Sequence, residues 1–95
     1  MREIRFDDKK DAANRGKHGI SLERAEDFDW SEATVRPDTR RDYGEPRFIA
    51  TAPIDGRLHV LIYTPRPGFV RVIGLRKANR REVKRHAREK KAGAH

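Results

Sequence analysis

Residues 47–76, RFIATAPIDGRLHVLIYTPRPGFVRVIGLR, carry the pattern that decides the fold. Two runs rich in β-branched and aromatic residues, 47–54 and 57–64, flank Asp55-Gly56, the dipeptide most typical of a two-residue type I′ hairpin turn. A third such run, 69–75, follows a Pro-Arg-Pro-Gly turn. The stretch therefore predicts an antiparallel meander of three strands.

The register of this meander follows from the lengths of its loops. A two-residue loop at Asp55-Gly56 places Ile49 opposite Ile62. A four-residue loop before the third strand places Ile62 opposite Arg71. Both faces of the sheet are then largely apolar, which predicts that both are at least partly covered.

This register brings Arg47 and Arg71 together at one end of a face that also carries Leu75. Two positive charges at one place suggest that an anion or a carboxylate binds there. The alternative is that the two arginines only extend along the surface and bond to an acidic residue of the loop. The sequence leaves both interpretations open.

The segment before the meander predicts a short strand and two helices. Residues 3–6 have the pattern of a strand, and a first helix over residues 9–17 follows and is ended by Gly16 and Gly19. Ser21 caps a second helix, whose apolar residues recur on one face. Residues 33–36 are strand-like, and the polar segment after them is predicted to be a loop.

A basic helix is predicted after the meander. Asn79 and Glu82 have the spacing of a capping box, so this helix should begin near Arg80. Val83 and Ala87 are four residues apart and are expected to face the sheet.

The predicted order of elements describes an α+β domain, in which N-terminal helices pack on the meander of residues 47–75 and a basic helix follows. A chain of 95 residues is predicted to form one domain, residues 1–91, with residues 92–95 as a frayed end. The sequence contains no cysteine, which excludes disulfides and thiolate metal sites. It has no apolar segment of the kind found in signal peptides or membrane spans, so we expect a soluble, cytoplasmic protein.

The positive charge is concentrated in the last fifth of the chain. The formal net charge is +8, and residues 76–95 supply +7 of it through nine basic and two acidic side chains. Residues 23–32, in contrast, hold five acidic side chains and one basic one. The basic segment suggests a polyanionic partner, and the acidic patch should keep nucleic acid away from one side. The simpler interpretation is a solvated helix without a partner.

Several motifs in order along the chain resemble the BrnT family of bacterial type II toxins, which belongs to the RelE-like ribonuclease superfamily. They are FDDKK at 6–10, NRGKHGIS at 14–21, DYGEPRF at 42–48, DGRL at 55–58, VLIYT at 60–64 and RVIGLRKA at 71–78, with Glu82 after them. The resemblance covers nearly the whole chain.

This resemblance implies a RelE-like fold and an RNA-cleaving toxin that inhibits translation and growth. It also implies neutralisation by a BrnA-type antitoxin with a ribbon-helix-helix DNA-binding domain, in a complex of two toxins and two antitoxins. Through the antitoxin, that complex would bind promoter DNA and repress its own expression.

Metal-independent cleavage of RNA proceeds by attack of the 2′-hydroxyl on the adjacent phosphorus, which needs a proton acceptor, a proton donor and cations. Arginine suits the phosphate because its guanidinium group presents paired donors and stays charged. The first candidates are Arg47, Arg71 and Arg76. Further RNA-binding candidates are Lys17, Lys77, Arg80, Lys84, Arg85 and Arg88.

Four residues are candidates for proton transfer: His18, His59, Tyr63 and Glu45. His18 should end the first helix, where the helix dipole favours its charged form, although a histidine there often only caps the helix. His59 and Tyr63 also fit a role in packing. The sequence leaves the assignment of base and acid open.

Other classes of site find no support in the sequence. It has no glycine-rich phosphate loop, no H-E-x-x-H motif and no nucleophile elbow, and we expect neither a metal nor a cofactor. Two non-enzymatic functions remain as alternatives: a nucleic-acid-binding module and a module that binds an acidic partner, both through the basic last helix.

Overall fold

A computed structural model describes residues 3–93 as one five-stranded sheet with helices on both faces. In chain order the elements are β1 (Ile4–Arg5), α1 (Asp8–His18), the 3-10 helices Leu22–Asp27 and Trp30–Glu32, β2 (Thr34–Pro37), β3 (Phe48–Ile54), β4 (Arg57–Arg66), β5 (Phe69–Lys77) and α2 (Arg80–Gly93). The strand order is β1-β5-β4-β3-β2. The predicted α+β class and the meander are confirmed, and the sheet is mixed because β1 runs parallel to β5.

The first hairpin has the predicted register. Ile54 pairs with Arg57 and Ile49 with Ile62, so the loop consists of Asp55 and Gly56 alone. Both loop residues have a positive φ, 48° and 77°, as a type I′ turn requires.

The second hairpin differs from its prediction. Arg66 pairs with Phe69, so the turn contains two residues, Pro67 and Gly68, rather than four. Pro67 followed by Gly68, whose φ is 82°, is enough to form a tight turn, so Pro65 and Arg66 are not needed in the loop. Arg71 therefore lies opposite Thr64 and not opposite Ile62.

A β-bulge interrupts β5. Tyr63 pairs with Val72 and Ile62 pairs with Gly74, so that Ile73 has no counterpart on β4. Because side chains alternate along a strand, the extra residue reverses which face each later side chain occupies. Leu75 consequently lies on the opposite face from the one that the sequence predicted, in the main core.

The main core lies on one face of the sheet, which we call the covered face. The predicted second helix is a 3-10 helix, and its two buried residues, Leu22 and Ala25, and the buried Phe28 that follows it are spaced by three, as that geometry demands. Leu22 and Leu61 are fully buried, and each contributes about 1.5 to 3 kcal/mol to folding.

Asn14 fixes α1 to the sheet. This buried side chain donates to the carbonyl oxygens of Leu75 and Ile20, both at 2.8 Å, and accepts from the amide of Leu75 at 3.1 Å. Gly19, in the left-handed conformation, ends α1 as predicted, and its amide donates to the carbonyl oxygen of Arg15. Gly16 does not contribute to this end, because it lies within the helix and has no positive φ.

The other face, which we call the open face, is covered by α2 at one end only. This helix begins at Arg80 through the predicted capping box, since the amide of Glu82 donates to Asn79 Oδ1 and the amide of Asn79 to Glu82 Oε1, both at 2.9 Å. The prediction that Val83 and Ala87 face the sheet is wrong, because both are exposed and Val83 is 44% accessible.

Polar contacts to β2 and to the 3-10 helix Trp30–Glu32 set the rotation of α2 about its axis. His86 Nδ1 lies 3.0 Å from Thr34 Oγ1, and Lys90 Nζ lies 2.7 Å from Glu32 Oε2. The helix continues to Gly93, and residues 94–95 of the predicted frayed end lie outside the described residues. None of the helices within residues 3–93 is long and apolar enough to cross a membrane.

Candidate active site

The open face consists of three rows of side chains that run across the strands. The rows are Thr34, Thr51, Val60 and Arg76; Arg36, Ile49, Ile62 and Gly74; and Arg47, Thr64, Arg71 and Arg5. Neighbouring rows are two residues apart along a regular strand, which is about 7 Å, and three residues apart on β5 where the bulge adds Ile73. Arg47 takes its place beside Thr64 because it directly precedes Phe48, which pairs with Tyr63.

Cations surround an apolar floor on this face. The floor is formed by Ile49 and Ile62 in the middle row, where Gly74 adds no side chain. A cleft of about 110 Å³ opens over it, and Arg36, Arg40 and Arg76 line its walls. An apolar floor with a cationic rim suits a flat base attached to phosphates.

Arg76 is held toward the cleft by Glu82. Its Nη1 and Nη2 atoms donate to the two carboxylate oxygens of Glu82, each at 2.7 Å. These bonds raise the pKa of Arg76 and lower the pKa of Glu82, so both groups remain charged. Because Glu82 also caps α2, the start of the helix and the guanidinium group are positioned together.

Arg40 is anchored at the opposite wall by Asp38, whose side chain is fully buried. Arg40 Nε and Nη2 donate to the two oxygens of Asp38 at 2.8 and 2.7 Å. The hydrogen bonds from Arg40 lower the pKa of Asp38 to about 2. The amide of Asp38 in turn donates to the carbonyl oxygen of Arg47, which joins this loop to the start of β3.

Arg47 is held by the loop before β3. Its guanidinium group lies 4.0 Å from the centre of the Tyr43 ring, and its Nε lies 3.6 Å from Glu45 Oε2. Within residues 3–93 this Nε is the one buried side-chain nitrogen or oxygen without a hydrogen-bond partner. The sequence left open whether Arg47 pairs with a bound anion or with an acidic residue of the loop. In the structure, Glu45 is an acidic loop residue beside Arg47.

Glu45 serves as an anchor for two arginines. Arg66 Nη2 donates to it at 2.8 Å, and this bond is the main cause that lowers the pKa of Glu45, followed by the charge of Arg47. A carboxylate stabilised in this way is a weak base, which argues against proton transfer by Glu45.

Arg71 is exposed and has no ion pair or side-chain hydrogen bond within the described residues. It lies between Thr64 of β4 and Arg5 of β1, and Arg5 itself packs over the ring of Phe69 at 4.2 Å. Arg47 and Arg71 stand on either side of Thr64, about 10 Å apart across two strand spacings. The bulge at Ile73 brings Arg76 to the same face, two rows away.

The structure separates the predicted proton-transfer residues. His18 ends α1 as expected, but its pKa is lowered, first by desolvation and then by the charges of Lys17 and Arg76, instead of being raised by the helix dipole. His59 and Tyr63 are buried on the covered face. His59 Nδ1 lies 2.6 Å from the carbonyl oxygen of Arg57, and Tyr63 stacks on Phe48, so both have roles in packing.

Of the predicted RNA-binding residues, Lys17 is exposed in the last turn of α1, away from the cleft lining. The other five lie at the exposed end of β5 and along α2. They are Lys77, Arg80, Lys84, Arg85 and Arg88. Arg85 Nε lies 3.4 Å from Glu89 Oε1, and Arg80, Lys84 and Arg88 line a shallow outward groove.

Sequence reasoning missed His86. This residue is half-buried and lines a cavity of about 290 Å³ between α2 and the sheet. Arg36, Ile49 and Glu82 line both this cavity and the smaller cleft, so the two are adjacent. One signal for His86 was available in the sequence. His86 lies four residues after Glu82, and this spacing places both side chains on one face of α2.

Within residues 3–93, no three histidine, aspartate or glutamate side chains are grouped so that they could hold a metal ion.

Comparison with known proteins assigns the chain to a family. The sequence profile described as "Ribonuclease toxin, BrnT, of type II toxin-antitoxin system" matches residues 6–82. The chain belongs to the BrnT family. The crystal structure of the BrnT ribonuclease toxin of Brucella abortus is similar, with 25% sequence identity and a TM-score of 0.66, over 84% of this chain and 100% of that chain. No curated protein matches the sequence.

Membership in the BrnT family confirms the resemblance seen in the sequence motifs. The profile match ends at Glu82, so most of α2, including His86, lies beyond it.

Proposed function

We propose that this protein is a metal-independent endoribonuclease and that its active site is the cleft on the open face. One observation carries this proposal: the bulge at Ile73 turns both Arg71 and Arg76 to one face, beside an apolar floor. Membership in a family of ribonuclease toxins supports it.

In this proposal the arginines bind successive phosphates of one RNA strand. Arg71 and Arg76 are about 14 Å apart along β5, which is too far to share a phosphate. Arg76 therefore stabilises the charge that develops on the cleaved phosphate, where a fixed donor has its largest effect. Arg71 holds a neighbouring phosphate, and Arg47, confined by Tyr43 and Glu45, supports that end of the cleft.

The test is cleavage of a short labelled RNA by the purified protein in EDTA. Attack by the 2′-hydroxyl leaves a 2′,3′-cyclic phosphate and a 5′-hydroxyl, and a substrate with a 2′-deoxy sugar at the cleavage site should resist. Cleavage that requires an added divalent cation, or that leaves a 5′-phosphate, would contradict the proposal. Binding of RNA without cleavage would favour the non-catalytic alternative.

We also propose that a BrnA-type antitoxin neutralises the protein by covering this cleft, and that the free toxin inhibits translation and growth. The support is membership in a type II toxin family and the strong positive charge around the cleft, which favours an acidic or amphipathic segment of the partner. Substitutions at Arg76 and Lys77 should then weaken both toxicity and antitoxin binding. Loss of activity with unchanged antitoxin affinity at every salt concentration would refute occlusion of this cleft.

A further inference from the structure

The cavity between α2 and β2 gathers groups that the arginine rim does not use. His86 and Glu89 line it from the helix, while Thr34 and Thr51 line it from the sheet. Arg36 is shared between this cavity and the cleft, so an RNA strand on the rim would have the cavity beside it.

Among the described residues, His86 is the one histidine that lines either this cavity or the adjacent cleft. Its Nδ1 atom is engaged by Thr34 Oγ1 at 3.0 Å, which orients the ring and leaves Nε2 as the other nitrogen. His59 is buried on the far face and His18 is exposed at the end of α1.

We propose that His86 accepts the proton of the attacking 2′-hydroxyl and that Thr34 positions it. This inference rests on the ribonuclease function proposed above.

The imidazole takes the 2′-hydroxyl proton while the 2′-oxygen bonds to phosphorus. The bond from phosphorus to the 5′-oxygen breaks, and the leaving oxygen takes a proton from solvent water. The imidazolium then returns its proton to solvent, and the RNA ends as a cyclic phosphate and a 5′-hydroxyl.

The partly buried position of His86 favours its neutral, proton-accepting form. Desolvation is the main cause that lowers its pKa from the ordinary 6.5, and the charge of Lys90 adds to it. Glu89 of the same helix and Glu32 of the neighbouring 3-10 helix oppose this shift, although Lys90 is itself paired with Glu32. Arg36 of β2, and Arg81, Arg85 and Glu82 of α2, complete the charged lining.

The experiment measures single-turnover cleavage against pH for the full chain and for His86→Gln and His86→Ala. Because the neutral imidazole is the active form, cleavage by the unmodified protein should rise with pH through a midpoint below about 6.5. His86→Gln should cleave RNA at about one hundredth of the normal rate or below, and its rate should not increase with pH. Its affinity for RNA should be unchanged. Added imidazole should restore part of the activity of His86→Ala.

Two further variants separate chemistry from packing. Ala87→Gln introduces the same side chain one residue along, on the outer face of α2, and should behave like the unmodified protein. Thr34→Val, which lacks the hydroxyl, should shift the midpoint of the pH profile. Thr34→Ser, which keeps the hydroxyl, should have the same midpoint as the unmodified protein.

The inference is overturned if His86→Gln cleaves within about threefold of the unmodified protein and keeps its pH profile, because a proton-transfer group supplies far more than that. It is also overturned if only a substitution at His18 removes the rise with pH. If the unmodified protein does not cleave RNA at all, the proposed function fails first and the role of His86 fails with it.

Discussion

Arg71 offers the cleanest test of a single side chain in the site. It is exposed and unpaired within the described residues, so its removal should change stability by less than about 0.5 kcal/mol. We expect Arg71→Ala to lower the rate of RNA cleavage at subsaturating RNA by about tenfold, because it removes one charge-assisted contact to a neighbouring phosphate. Lys10→Ala, an exposed cation on α1 over the covered face, is the matched control. Cleavage by both variants at the same rate would remove Arg71 from the site.

Asp38 should make the protein sensitive to acid. Its pKa in the folded state, about 2, lies below the ordinary 3.8, so its contribution to stability is complete above pH 3.8 and is lost as the pH falls toward 2. Discounted for the exposed partner Arg40, this contribution is about 1 to 2 kcal/mol.

The measurement for Asp38 is urea unfolding of the unmodified protein and of Asp38→Asn. The difference between their free energies of unfolding should be largest at neutral pH and should shrink below pH 3.8. A difference that is independent of pH would show that the ion pair does not cause it.

At the residue scale, the sequence predicted the types of the site residues better than their partners. Arg76 was chosen because guanidinium groups suit phosphates, but its pairing with Glu82 depends on where the capping box meets the end of β5. His86 was passed over because no local sequence pattern shows its contact with Thr34, which lies 52 residues away.

Among the elements, the first hairpin was predictable and the third strand was not. Asp55-Gly56 encodes its turn locally, through two positive φ angles, so the register of β3 and β4 followed from it. The bulge at Ile73 has no such local code, since β-branched residues fit regular strands equally well. The rotation of α2 was mispredicted because polar contacts to Thr34 and Glu32 outweigh a narrow stripe of Val83 and Ala87.

α2 as an element should recruit RNA without performing the chemistry. Reversing the charges of Lys84 and Arg88, which line the outward groove of α2, to glutamate should weaken RNA binding strongly, while cleavage of bound RNA changes by less than about threefold, because exposed charges act at range. Filter binding at low and moderate salt measures the first quantity, and single-turnover cleavage at saturating protein measures the second. The control is Lys9→Glu with Lys10→Glu on α1.

An unchanged RNA affinity in the α2 variant would leave the helix with a role in solubility or in binding the antitoxin. The exposed Val83 within this basic surface makes the antitoxin the partner to test in that case.

Over the whole molecule, charge is divided between the two faces of the sheet. The acidic segment 23–32 forms the 3-10 helices on the covered face, and Glu26, Asp27, Asp29 and Asp55 line a groove there. The arginine rim and most of α2 lie on the other side. The predicted exclusion of nucleic acid from the acidic side therefore has a structural counterpart.

This polarity should give RNA binding a defined dependence on salt. If Arg36, Arg71 and Arg76 each neutralise one phosphate, the logarithm of affinity should fall with the logarithm of salt concentration with a slope of about −2. Arg71→Ala should make the slope shallower by about 0.7. A flat response to salt in the unmodified protein would rule out phosphate neutralisation on the open face.

The bulge at Ile73 has a consequence for how related sequences should be aligned. Five positions separate Arg71 from Arg76, and an odd interval on a regular strand would send the two side chains to opposite sides. A relative that lacks the bulge must carry the equivalent cations at an even interval to present them together. A gap of one residue in an alignment of this strand can therefore mark an unchanged site, whereas an ungapped match can hide its loss.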